Sequence, residues 1–488
     1  MQKHRCIISK NKMIYIIIFL IFSFYITLNL IMQISNGKID NDNYFMLAHG
    51  EYIIRNGFTR VEPFSIHSDF QFMIPQWLTA VILYFIHLYT GTRGIALFFS
   101  IVFIITELVL FHLLRLISNN NVLSSLLAGL SMTIVSSYMF STRPYIISLL
   151  IILIELYAFE KYVSQSKAKY LMIIPFLSVI EINFHNSLWI MMILVSLPYF
   201  IEGFINHRYK IRPLAITMMI STLSALINPY GVESITYIFR SMISIKPISN
   251  IIIELAPASM NNTLGLITIM INFGLFIGLF IFHNFKIDLR YILLYLGTCL
   301  MALIAIRNSI FFYPISMLVY VFVFENIKCD SISNKITKYI YSITIFMIIS
   351  CGLTFMLMGK SDVQKQNLSS TFSKDAINWL SENKNPEEIT LYNNVNDGAY
   401  LLYKGFKVYI DPRLEVYGKE NNKKEDILLE YLKIRSADIY YKDFLNKYDF
   451  NLILVNKSID KYLYQTIKHD FNYVSIYEDD VSAIYERK

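Results

Sequence analysis

The stretch IYIIIFLIFSFYITLNLIM, residues 14–32, decides the fold class. It is an uncharged apolar run of about twenty residues, enough for a helix to cross roughly 30 Å of hydrocarbon. The basic segment MQKHRCIISKNK precedes it and no small-residue cleavage site follows, so it reads as an uncleaved first transmembrane helix rather than a signal peptide. By the positive-inside rule the basic arm belongs in the cytoplasm, which sends the chain outward from about residue 36.

Working outward from that helix, further hydrophobic stretches fall at 76–90, 94–117, 121–140, 144–160, 170–182, 187–204, 213–227, 262–283, 290–307, 309–326 and 338–358. Only 16% of the residues are charged and 55% are hydrophobic, against about 25% charged in a soluble domain, so a water-exposed globule is excluded. The pattern predicts a mainly α, polytopic helical membrane bundle of about 11–13 transmembrane helices. The net charge of +7 resides mostly in Lys and Arg between these segments, which is a topology signal and not a nucleic-acid footprint. Basic loops at 207–212, 285–290 and 327–338 are assigned to the cytoplasm, and loops near 183–186, 228–261 and 307–308 to the outside. A cytoplasmic N-terminus and an external C-terminus need an odd number of crossings. Counting 13–35, the stretches number twelve, so one of them does not cross; the weak region is 76–140, where 76–89 or a pair near 118–122 could be re-entrant. The four cysteines, Cys6, Cys299, Cys329 and Cys351, show no metal or disulfide spacing.

After Lys360 the composition turns polar and the apolar runs shorten to strand length, at 388–392, 407–410, 450–455 and 473–477. Amphipathic stretches at 374–383, 425–434 and 459–469 lie between them. This predicts a transmembrane domain over 1–359, with a first external loop at about 36–75, and a soluble extracytoplasmic α/β domain over 360–488.

The first loop opens with Asp40 and Asp42, where a carboxylate could take a proton from a hydroxyl or hold a divalent cation; simple solvation of a loop is the plainer alternative. Polar residues recur at the outer ends of helices: Arg143, Asn183, His185, Asn228, Glu254, Arg307 and Asn308. Taken singly, the arginines can snorkel, His185 can be a packed residue and Asn228-Pro229 can end a helix. Together they suggest a polar chamber at membrane depth, suited to a phosphate-linked substrate whose tail stays in the bilayer.

These residues resemble bacterial multi-pass proteins of the GT-C glycosyltransferase superfamily, in a branch whose first external loop reads D-x-D-x-W-W-H-L-x-x-G-E-x-I, followed by a G-x-x-x-x-x-D-P-F-S segment and E-W-L. Here Asp40, Asp42, Tyr44, Phe45, Met46 and Leu47 precede Gly50-Glu51, then Gly57, Glu62-Pro63-Phe64-Ser65 and Gln76-Trp77-Leu78. Arg143-Pro144, Asn183 with His185, Asn228-Pro229-Tyr230-Gly231, Glu254, and Asp411-Pro412-Arg413 with Tyr417 continue the match in order. This sequence departs from the pattern at three positions: Met46 stands for the usual His, Glu62 for an Asp and Gln76 for the acid before Trp.

The resemblance implies the GT-C architecture, an essential acid in the first external loop and a polyprenyl-phosphate sugar donor. On that basis Asp40 or Asp42 is the expected base, activating a glycan, lipid or protein acceptor on the outer face for an inverting transfer. Arg143, Asn183, His185, Glu254 and Arg307 are the expected substrate-binding residues. No cofactor is required, and a divalent metal ion is compatible without being needed. A flippase or transporter of lipid-linked glycans, or a non-catalytic scaffold of a polysaccharide machine, stands as the alternative. Nucleic acid is not an expected partner; membrane lipid is.

Overall fold

A computed structural model of the chain describes residues 12–37, 39–138, 142–207, 209–246, 255–257, 263–283, 287–325 and 372–488. The apolar stretch 338–358 lies outside them, as do Glu254, Cys6, Cys329 and Cys351; Cys299 is a buried free thiol. In chain order the helices are α1 (Lys12–Asn36), α2 (Asp42–Asn56), α3 (Trp77–Ser118), α4 (Asn121–Tyr138), α5 (Tyr145–Gln165), α6 (Ile173–Phe184), α7 (Trp189–Asn206), α8 (Ile211–Ser224), α9 (Val232–Ile245), α10 (Thr263–His283), α11 (Leu289–Ile304) and α12 (Ser309–Glu325). The C-terminal region follows as α13 (Lys374–Asn383), β1 (Leu391–Tyr392), α14 (Val395–Tyr403), α15 (Lys419–Asn422), α16 (Ile427–Arg435), α17 (Tyr441–Tyr448), β2 (Leu452–Asn456), α18 (Lys461–Ile467), β3 (Tyr473–Glu478) and β4 (Ser482–Arg487).

Every apolar stretch read from the sequence that falls on described residues is helical. The stretches at 76–90 and 94–117 form one element, α3, broken at Gly91, whose φ of 66° is a left-handed value that glycine tolerates without strain. Among the described residues, Trp77–Ser118, Asn186–Asn206 and Ile306–Glu325 are long and apolar enough to cross a membrane, and shorter apolar helices accompany them. The chain is a membrane protein, mainly α-helical, with a small C-terminal sheet.

Contacts divide the chain into two compact units. One comprises Met1–Lys38, Ala96–Ile227 and Ile248–Lys360. In it α1 packs on α4, α4 on α12, α11 on both α12 and α7, and α6 on α8. Its interior is largely apolar, with polar side chains buried within it. Tyr295 and Tyr320 both donate 2.7 Å hydrogen bonds to Asn272 Oδ1, tying α10, α11 and α12 where no water competes. Arg290, which the sequence places in a basic cytoplasmic loop, is 5% exposed and bonded to Glu160 of α5 (Nε to Oε1, 3.0 Å) and Glu202 of α7 (Nη1 to Oε2, 2.7 Å).

The other unit comprises Ile39–Ile95, Asn228–Pro247 and Ser361–Lys488. The first loop and α9 therefore fold with the C-terminal region, a grouping that a linear division at residue 360 does not convey. Its sheet runs β1-β2-β4-β3, with β1 parallel to β2 and the remaining pairs antiparallel. The predicted strand at 407–410 is not in this sheet. Val408 instead makes an isolated parallel bridge with Ser65 of the first loop, through Ile66 N–H to Val408 O at 2.9 Å and Val408 N–H to Phe64 O at 3.2 Å. The extra strand β4 takes the place beside β2 that the sheet needs. α9 is fastened to the first loop by Arg60–Glu233 at 2.9 Å and to the C-terminal region by Tyr237 O–H to Glu415 at 3.1 Å.

Candidate active site

Within the unit that holds the first loop, Asp40 and Asp42 lie at the start of α2, both half-buried. Asn41 at the N-cap offers no side-chain cap, and Asp40 supplies one in its place: its Oδ1 accepts the Asp42 backbone N–H at 3.1 Å. That bond satisfies one of the orphan donors of the first turn. Asn41 Nδ2 donates to the Asn396 carbonyl at 2.8 Å, so the segment carrying both acids is anchored to α14. α2 packs along α14, with Tyr44 against Tyr400 at 4.8 Å between ring centroids.

Behind the acids lies a buried ionic network that the sequence only hinted at. Arg413, 3% exposed, donates to both oxygens of Glu62 at 2.9 and 3.1 Å and to Asp411, whose Oδ2 also accepts from Tyr417 O–H at 2.6 Å. Its Nη1 also donates to His49 Nε2 at 3.1 Å, which leaves the ring hydrogen of His49 on Nδ1. Burial, and then the positive charge of Arg413, holds the His49 imidazole well below its ordinary pKa, so it is neutral. Burial opposes the Arg413 charge, but Asp411 and Glu62 outweigh it and keep the guanidinium ionised. Burial raises the Glu62 carboxyl above the usual range against the pull of Arg413. The rings of Phe64 and Phe72 cover the guanidinium at 5.1 and 5.3 Å.

Glu62 thus has a buried partner in Arg413. His49 lies one turn after Met46 on the same face of α2 and is equally buried. His67 is a further buried histidine, held by the Tyr409 carbonyl at 2.8 Å and pushed down by burial to about 4.

The other unit holds Arg143, just ahead of α5, and Asn183, His185 and Arg307 at two helix breaks of the same design. α6 ends at Phe184 and a short 3-10 turn, Asn186–Leu188, leads into α7; α11 ends at Ile304 and the turn Ile306–Asn308 leads into α12. In each, a basic residue is followed by Asn and Ser: His185-Asn186-Ser187 and Arg307-Asn308-Ser309. That recurrence is the sequence signal that could have singled out the two breaks as a pair. His185 is buried, bonds Ser148 Oγ through Nδ1 at 3.0 Å and packs on Tyr145 at 5.1 Å, and the charge of Arg307 acts on it. Arg143 is half-buried two residues before Tyr145. Asn183 is committed to backbone, donating to Val179 O at 2.7 Å and Ile227 O at 2.9 Å. Two fully buried acids, Glu155 of α5 and Glu181 of α6, adjoin this break and were passed over in the sequence, although an acid inside an apolar helix is itself a signal. Among the described residues no group of three or more His, Cys, Asp or Glu side chains is placed to hold a metal ion.

No protein-family model and no curated protein sequence matches the chain. Solved structures do. The oligosaccharyltransferase of Archaeoglobus fulgidus tethered to an acceptor peptide containing the NVT sequon aligns over 99% of this chain and 74% of its own, at 9% identity and a TM-score of 0.58. The oligosaccharyltransferase AglB of the same organism, in complex with an inhibitory peptide and a dolichol-phosphate, aligns over 95% of this chain and 73% of its own, at 9% identity and a TM-score of 0.61. ArnT from Cupriavidus metallidurans bound to undecaprenyl phosphate aligns over 96% of this chain and 97% of its own, at 10% identity and a TM-score of 0.50. These neighbours are GT-C membrane glycosyltransferases, and at such low identity the likeness establishes the fold.

Proposed function

We propose, from the GT-C fold of this chain, that it is a membrane glycosyltransferase that moves a sugar from a polyprenyl-phosphate carrier to a glycan, lipid or protein acceptor on the outer face of the membrane. The observation that carries the reading is the pair of half-buried acids, Asp40 and Asp42, held at the start of an ordered helix that is itself anchored to the C-terminal region. A loop that only needed solvation would not require that anchoring.

In the proposed reaction Asp40 or Asp42 takes the proton from the acceptor hydroxyl as its oxygen attacks the anomeric carbon. The bond from that carbon to the lipid phosphate oxygen breaks, its electron pair leaves with the phosphate, and the configuration inverts. Arg143, His185 and Arg307 are the groups proposed to meet the phosphate as negative charge grows on it, with Asn183 and Glu254 near the substrate. Neutral His185 can donate one hydrogen bond, whereas the two arginines supply charge. The N-terminus is assigned to the cytoplasm and the C-terminal region to the outside. The break at Gly91 supports assigning 76–89 as the stretch that does not cross, which restores the odd count.

The test is release of polyprenyl phosphate from a panel of polyprenyl-phosphate sugars by the protein purified in detergent. Wild type is expected to turn over at least one donor, and Asp42→Asn or Asp40→Asn, folded as well as wild type, to lose turnover. Binding of a donor without turnover, indifferent to both aspartates, would replace the enzyme with the flippase or scaffold reading.

A further inference from the structure

The helix that begins with Asp42 carries a second feature. Glu51 and Arg55, on successive turns of α2, form an ion pair at 2.6 Å along one wall of a groove of about 470 Å3. The first half of α3 supplies the facing wall with Tyr84 and His87, and the end of α14 closes the third side with Tyr403 and Lys404. The His87 ring meets Tyr403 edge-on at 5.7 Å. All three walls belong to the unit that contains the candidate base.

Beside the groove α2 and α3 approach closely. A Cβ on Gly50 would lie 2.3 Å from the Ala80 carbonyl oxygen and 2.7 Å from the Tyr84 Cβ, so glycine alone lets α2 and α3 touch there. Its volume lies within the roughly 300–1,000 Å3 of small-molecule sites. The lining pairs aromatic surface with charged hydrogen-bonding groups. Tyr84 and Tyr403 offer rings for the C–H face of a sugar, and Glu51 can accept from hydroxyls. Arg55 is neutralised in its pair with Glu51, so Lys404 leaves the lining with a net charge of +1, which favours a ligand carrying anionic groups.

We propose that this groove binds an acidic saccharide segment of the acceptor, at a carboxylate- or phosphate-bearing sugar beyond the residue that is glycosylated. This rests on the transferase reading. It assigns to Arg55, Tyr403 and Lys404 a part in acceptor choice that is separate from the chemistry at Asp40 and Asp42.

The experiment is isothermal titration of the full-length protein, in nanodiscs of neutral lipid, with trigalacturonate and with maltotriose. Trigalacturonate is expected to bind at least about tenfold more tightly than maltotriose, and Lys404→Gln and Tyr403→Ala each to weaken it roughly tenfold. Tyr403→Phe, which keeps the ring, should bind as wild type does, which separates loss of stacking from damage to the fold. Equal binding of the charged and neutral trisaccharides, or affinity unmoved by both weakening variants, overturns the proposal. So does displacement of trigalacturonate by anionic phospholipid added to the nanodisc, which would make the groove a lipid headgroup site. Trigalacturonate binding in a protein that turns over no donor would remove the transferase reading and leave the groove; turnover without binding would remove the groove alone.

Discussion

Arg413 grips Glu62 with both terminal nitrogens, Nη2 to Oε1 at 2.9 Å and Nη1 to Oε2 at 3.1 Å, across 351 residues of sequence. The same guanidinium holds Asp411 and His49, so one cation fixes the first loop, the middle of α2 and the turn after Ile410 at once. Removing it would leave two carboxylates buried without their counter-charge, a loss of about 3–5 kcal/mol. Arg413→Met is expected to lower the melting temperature and to abolish donor turnover through disorder at α2. Arg413→Lys should fare little better, because an ammonium cannot reproduce the planar fork. Thermal unfolding in detergent checks both; a melt within a degree or two of wild type for Arg413→Met would show that the network does not hold the unit together.

A second buried acid sets a dependence on pH. Asp397 accepts from the Ser373 backbone N–H and Oγ, both at 2.8 Å, and from Asn394 Nδ2 at 2.6 Å, yet burial outweighs these bonds and pushes its carboxyl up to about 7. Burial likewise pushes Asp460, which shares Asn394 with it, up to about 6. Both groups hold their protons more tightly folded than unfolded. Their contribution to stability is therefore complete below the ordinary carboxylate range near 4 and is lost as pH rises through about 6 and 7. The melting temperature is expected to fall between about pH 4 and about pH 7 and to level off above that, each group losing up to roughly 1.4 kcal/mol of stability per pH unit between its unfolded and folded pKa. Asp397→Asn should flatten that slope. Stability that climbs over the same interval and is unchanged in slope by Asp397→Asn would contradict the assignment.

Gly50 sets two effects against each other. Alanine in a helix interior is favoured over glycine by roughly 0.5–1 kcal/mol. At this position, however, the added methyl meets the Ala80 carbonyl oxygen at 2.3 Å, a backbone atom that can yield only by moving α3. Overpacking of this kind costs about 1–3 kcal/mol, so the clash wins and Gly50→Ala is expected to destabilise. Protease sensitivity of the first loop, compared with wild type at equal temperature, reads it directly.

What could be read from the sequence divides along physical lines. The membrane helices were legible because each is dominated by apolar residues over most of its length, and the stretches at 121–140 and 262–283 correspond to α4 and α10 to within a few residues. α13 was legible from its 374–383 amphipathic period. α2 and α9 were not, because their mixed polar faces bury against partners in the same unit and so look like loop. Lys407–Ile410 looks like a strand by composition, but Gly398 and Asn393 occupy the backbone of its end: a Cβ on Gly398 would sit 2.3 Å from Ile410 O, and Asn393 Nδ2 bonds that oxygen at 2.6 Å. The candidate acids were visible as a motif, and so was the local Asp411–Arg413 pair with Tyr417, whereas its joining to His49 and Glu62 was not, since only folding brings residues 49 and 62 to residue 413. The cluster around Arg290 was hidden for a similar reason. A basic residue beside an apolar stretch reads as a topology marker, and nothing local reveals that its partners lie 88 and 130 residues away.

That buried cluster gives the sharpest prediction for the other unit. Arg290 meets Glu160, Glu202 and Asp288, and the carboxylates are further satisfied by Tyr291 O–H to Glu160 at 2.9 Å, Tyr199 O–H to Glu160 at 2.8 Å and Tyr209 O–H to Glu202 at 3.3 Å. The cluster pins α5, α7 and α11 together. Its net contribution to stability is small when intact, because desolvation of the charges offsets much of their attraction, while breaking it from one side leaves uncompensated charge. Arg290→Met is therefore expected to cost about 3–5 kcal/mol and to reduce the yield of monodisperse protein sharply, whereas the triple variant Arg290→Met, Glu160→Gln, Glu202→Gln should recover much of the loss. Size-exclusion profiles and thermal inactivation in detergent measure both. If the triple variant is no more stable than Arg290→Met alone, the residues act through shape and packing rather than charge, and the electrostatic account of this junction fails.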